Sequence, residues 1–109
     1  MKLIIAVIQR QDEGTLTKAL VNQHIGITRV SSKGGFLREG NVTLFIVVPN
    51  QRVEDVMQTI HKHCYTRTKF VAPLPPVAES GEFYPSTPIE VQVGGATVFV
   101  VNASVLGRA

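Results

Sequence analysis

Leu3 to Ile8 is an unbroken apolar run rich in β-branched side chains. Such a run predicts a strand covered on both faces. Helices can cover one face; the other needs a further cover, which points to oligomerisation. The period then changes. Residues 12–24 read as a helix with Leu16, Ala19 and Leu20 on one face, Asp12 placed for capping and Gly26 following the C-terminal end. From Ile27 to Ser32 a second strand sends Ile27 and Arg29 one way, Thr28 and Val30 the other. A glycine-rich turn over 34–40 leads into a third strand, Val42–Val48, and Pro49-Asn50 punctuates the chain. Residues 52–64 give the clearest helix: Val53, Val56, Met57, Ile60 and Cys64 form one stripe at helical spacing.

The next stretch differs in character. Between Thr66 and Pro88 lie Pro73, Pro75, Pro76, Pro85 and Pro88, together with Gly81, which predicts a long loop without regular structure. A loop of that length in a small domain is usually functional or mobile. Ile89–Val93 alternates as a strand, Gly94-Gly95 interrupts it, and Thr97–Val101 resumes it. The order is β-α-β-β-α-β. It predicts a ferredoxin-like α+β fold, an antiparallel sheet with both helices on one face. At 109 residues the chain reads as one domain, 1–109.

Composition narrows the function. The chain is 44% hydrophobic, ample for a core, with apolar surface to spare for a subunit interface. Eleven Lys and Arg against eight Asp and Glu leave +3, scattered rather than clustered. That suits a small phosphate-bearing ligand better than a nucleic-acid polymer. Cys64 is the single cysteine, so no intrachain disulfide forms. The opening apolar run stops at Ile8, too short for a signal sequence or membrane span. Together these features predict a cytoplasmic protein without membrane insertion.

Lys33–Thr43 carries the most pointed signal, because Phe36 and Leu37 occupy a turn rich in glycine. Turns are ordinarily polar, and an apolar tip needs a partner. Adjacent glycines let the backbone approach a ligand, and an aromatic ring offers a stacking face. The tip is therefore either half of a nucleotide pocket or a hairpin end buried against another subunit. Other chemistry lacks support. The turn has no Gly-Lys-Ser/Thr ending to hold outer phosphates. His61 and His63 diverge around their helix and Cys64 continues its apolar stripe, so no metal site is expected. Asp12-Glu13 and the Glu79/Glu82 pair read as helix-start and loop-surface carboxylates, and no hydroxyl has a base at motif spacing. No catalytic residue and no cofactor is predicted.

With these elements in place, the chain resembles the PII-like signalling proteins, specifically the cyclic-di-AMP receptor family of small homotrimers. The likeness rests on Met-Lys-Leu-Ile-Ile-Ala at the start, Thr28 and Gly-Gly-Phe-Leu-Arg-x-Gly-Asn over 34–41. Arg52-Val53-Glu54-Asp55-Val56, Cys64-x-x-Arg67 and the segment Pro88–Val100 complete it. The resemblance implies a non-enzymatic homotrimer with three nucleotide sites in the clefts between subunits, and an unidentified protein target. It maps the pocket to Thr28, Gly35, Phe36, Leu37, Asn41 and Phe99, with main-chain contacts near Ile27. The residue chemistry fits: Phe36 and Leu37 can sandwich an adenine, Asn41 can pair with a purine, and Thr28 offers a hydroxyl. Phe99 also reads as ordinary strand core.

Two departures matter. Family members commonly carry an arginine two positions before the threonine, where this chain has Gly26. Without that clamp, another adenine nucleotide or anionic metabolite becomes an alternative ligand, and a non-binding scaffold or metal-tolerance trimer a third reading. The C-terminal Val101–Leu106 lacks the usual Leu-Pro-Val and aromatic tail, leaving Arg108 as the charge near the end.

Overall fold

The apolar opening run forms β1 (Lys2–Gln9), and its side chains divide by parity. Ile4, Ala6 and Ile8 are buried, whereas Leu3, Ile5 and Val7 on the opposite face are only partly covered. The computed structural model describes residues 1–30, 40–71 and 89–107. After β1 come α1 (Arg10–Asn22), β2 (Ile27–Val30), β3 (Asn41–Val48), a 3-10 turn (Asn50–Arg52) and α2 (Val53–Cys64). Strands β4 (Arg67–Val71), β5 (Ile89–Val93) and β6 (Ala96–Asn102) complete the described elements.

The main sheet has the order β2-β3-β1-β6 and is antiparallel throughout. Strand β3 thus sits between the two strands of the first β-α-β unit, as the ferredoxin-like plan requires. Both helices cover one face. Leu16 and Leu20 of α1, with Val56, Ile60 and Cys64 of α2, join Ile4, Leu44 and Ile46 in a single core. The α2 stripe read from spacing is the face that packs. Gln23 links the helices by donating from Nε2 to Thr59 Oγ1 at 2.8 Å.

Three local expectations need correction. Helix α1 starts at Arg10 without a side-chain cap. Asp12 is instead buried, only 4% exposed, on the same face as Leu16 and Leu20. The helix is stopped by His24, which adopts φ 60. Ile25 N donates to Leu20 O and His24 N to Val21 O, the paired bonds of a Schellman ending. Gly26 plays no part in that stop.

The segment from Thr66 is not wholly loop. Arg67–Val71 forms β4 and pairs with β5 in a separate two-stranded sheet, Arg67 opposite Val93 and Phe70 opposite Glu90. The Gly94-Gly95 interruption is therefore a junction between sheets. Both glycines have positive φ, at +83 and +90. A Cβ on Gly94 would fall on the Tyr65 carbonyl oxygen, so the turn has no room for a side chain there. No helix among the described residues is long and apolar enough to cross a membrane.

Candidate functional site

The sheet face turned away from the helices carries three of the expected binding residues, Thr28, Asn41 and Phe99. Strand register aligns Thr28 of β2, Phe45 of β3, Ile5 of β1 and Phe99 of β6 in one row on that face. Phe45, Val47 and Phe99 on it are 37%, 51% and 46% exposed. The row ends in Thr28 and Phe99, at the two edges of the sheet. Three strand spacings separate them, about 14 Å. One protomer therefore holds these two residues far apart.

Thr28 lines a hollow of about 520 Å³ with Gly26, Ile27, Leu3, Phe45 and Val47. The Ile27 side chain leans the other way and packs against the core. Because β2 is an edge strand, its outward backbone groups have no strand partner among the described residues, which suits a main-chain contact near Ile27. Arg29 follows parity to the helix side, where its Nε lies 2.5 Å from Glu13 Oε1. It is thereby turned away from Thr28.

Asn41 belongs to a different hollow. It opens β3 opposite Gln9, and both line a space of about 340 Å³ with Thr66, Gly94, Gly95 and Thr97. Gln9 Oε1 accepts a bond from Gly94 N at 2.8 Å and another from Gln11 Nε2 at 2.9 Å. Phe99 lies two residues beyond Thr97 on the same face of β6 and does not line this hollow. Gly35, Phe36 and Leu37 lie outside the described residues, as do Arg108, Glu79 and Glu82. The structure thus sets the described site residues apart: Thr28 beside Gly26 in one hollow, Asn41 beside Gln9 in another, and Phe99 two strands and four register positions from Asn41. Gln9 and Thr97 were not foreseen. Their signal was a polar residue ending an apolar run and a threonine just after a double glycine.

Behind the second hollow lies an ion pair that composition alone did not disclose. Arg67 Nη2 donates to Asp12 Oδ1 at 2.8 Å, and Arg67 Nη1 reaches the Tyr65 carbonyl at 3.1 Å. The guanidinium also lies 5.4 Å from the Tyr65 ring centre. The bond to Asp12 raises the Arg67 pKa above its ordinary value, so the cation persists across the usable pH range. Asp12 Oδ2 is buried with no partner among the described residues. Burial, then the Asp12 charge, pushes the Cys64 thiol from 9.0 up to about 11. A thiol held protonated in this way is a poor nucleophile, which disfavours a cysteine-based reaction.

A family profile described as "Cyclic-di-AMP receptor" matches residues 1–108. A crystal structure of a functionally unknown protein from Pediococcus pentosaceus ATCC 25745 superposes with a TM-score of 0.77 at 36% identity. That likeness covers 99% of this chain and 96% of the other.

Proposed function

Since the chain belongs to the cyclic-di-AMP receptor family, we propose that it is a non-enzymatic cytoplasmic sensor that binds cyclic-di-AMP in clefts of a PII-like homotrimer. The observation that carries this reading is the row across the uncovered sheet face. Thr28 and Phe99 terminate it at opposite edges, about 14 Å apart by strand spacing. Packing copies of the face around an axis would bring the Thr28 edge of one subunit beside the Phe99 edge of the next. The same packing would cover Phe45 and Val47.

In that cleft Phe36 and Leu37 grip an adenine, Asn41 pairs with a base edge and Thr28 reaches a phosphate oxygen. The ligand is the signal. Binding is passed to a protein target by a rearrangement of the Thr66–Pro88 segment, of which residues 72–88 lie outside the described residues. Such relay requires contacts that differ between the free and bound states.

One observation favours a second ligand class. Gly26 is exposed beside Thr28 and supplies no charge, so another adenine nucleotide can compete for the site. Calorimetric titration with cyclic-di-AMP, ATP and AMP, with light scattering on the same sample, tests both readings. Heat from cyclic-di-AMP at one ligand per subunit on a trimer is expected. Binding of ATP or AMP in preference would establish the alternative, and a trimer silent to all three would leave a scaffold.

A further inference from the structure

We propose that Gln9 is a second base-reading residue beside Asn41, donating from Nε2 to the N7 nitrogen of an adenine seated in the 340 Å³ hollow. The inference rests on the cyclic-di-AMP reading of the site and adds a residue to it.

The described lining favours an uncharged occupant over a phosphate. Among the described residues its lining has no lysine or arginine; the polar side chains there are the amides of Gln9 and Asn41 and the hydroxyls of Thr66 and Thr97. The turn amides are also engaged, Gly94 N with Gln9 Oε1 and Gly95 N with Cys64 O. With neither a cation nor a free Gly94 or Gly95 N–H among the described residues, the space suits an uncharged group with a polar edge, such as a base. Val7 and Ala96 supply aliphatic surface beside it.

The orientation of the Gln9 amide follows from its partners. A backbone N–H can only donate, so the atom of Gln9 facing Gly94 N is the oxygen. Gln11 Nε2 adds a second donor to that oxygen. The Gln9 Nε2 group is left without an acceptor among the described residues. Asn41 is its register partner on β3, and side chains directly opposite lie about 4.5–5.5 Å apart at Cβ. A donor from Gln9 and an acceptor from Asn41 match the N7 nitrogen and N6 amino group on one edge of adenine.

The test compares cyclic-di-AMP with its 7-deaza analogue, in which each N7 is replaced by C–H. Both are titrated into the wild-type chain, Gln9→Glu and Gln9→Ala, with thermal melts in parallel. Glutamate retains an oxygen for Gly94 N but offers no donor; alanine removes both groups. The wild type should prefer cyclic-di-AMP by about tenfold. The preference should fall to within about twofold in both variants, with Gln9→Glu melting like the wild type. A purely structural role for Gln9 would weaken both ligands alike and preserve the preference, which overturns the inference while cyclic-di-AMP binding stands. No wild-type preference overturns it equally. Absence of cyclic-di-AMP binding by the wild type would remove the underlying reading as well.

Discussion

Restoring a charge at position 26 should tighten ligand binding, and the structure allows its size to be worked out. Gly26 has no positive φ, and a Cβ built on it meets nothing within 4 Å. The helix ends through His24, so no backbone requirement opposes a side chain here. Position 26 lies two residues before Thr28 and lines the same hollow. At about 3.3 Å per extended residue, the two Cα atoms lie about 6.6 Å apart. An arginine can reach an anionic group held by Thr28. A hydrogen bond to a charged partner contributes about 1.5–3 kcal/mol, which converts to about 10- to 100-fold in affinity.

The assay is calorimetric titration of cyclic-di-AMP into Gly26→Arg, Gly26→Gln and Gly26→Ala at two salt concentrations. Alanine controls for the backbone: replacing glycine where no positive φ is needed stabilises the fold by about 0.4–1 kcal/mol without touching ligand. Glutamine controls for reach without charge. Gly26→Arg should bind most tightly, and its advantage should shrink with added salt. The reasoning is refuted if arginine binds no better than alanine, or if its gain is indifferent to salt.

Three further outcomes follow from the same geometry. Phe36→Ala should lose about 1–3 kcal/mol of ligand binding through the missing stack, with the assembly intact by light scattering; dissociation into monomers would instead assign the glycine turn to the interface. Leu44 and Phe45 are neighbours on opposite faces of β3, one in the core and one on the uncovered face. Leu44→Ala should cost about 2–5 kcal/mol in chemical denaturation, whereas Phe45→Ser should chiefly disrupt assembly, seen as a lower mass. Cys64 gives a pH prediction. Its folded pKa of about 11 exceeds the ordinary 9.0, so the unfolded chain releases this proton first. Its contribution is complete below pH 9 and is lost as pH rises toward 11, at most about 2–3 kcal/mol. Cys64→Ala should flatten that part of a stability–pH curve, and a wild-type curve already flat there would contradict the shift.

The elements legible in the sequence are those whose pattern is local. The β1 run and the α2 stripe each state their own partner face, and the opposite faces of Thr28 and Arg29 follow from strand parity alone. The misread elements depend on distant residues. Thr66–Val71 has little apolar alternation; β4 exists because Ile89–Val93 pairs with it. Asp12 looked like a cap because its residue type favours helix starts. Its spacing to Leu16 and Leu20, four and eight residues on, already placed the carboxylate on the buried face. Only the fold brings Arg67 to it across 55 positions.

The split between Thr28 and Phe99 has the same origin and the largest consequence. Sequence motifs put both residues in one pocket, but strand order was required to show that β3 and β1 lie between them. Side chains at opposite edges of a four-stranded sheet cannot close on one base from a single subunit. If both touch the same ligand, the second edge must come from a neighbour. Assembly would then be a condition of binding, and its disruption by Phe45→Ser should abolish ligand affinity even though Phe45 is not among the residues expected to contact the nucleotide. Full affinity in a monomeric Phe45→Ser protein, measured by the same titration, would show that the residues of one subunit suffice.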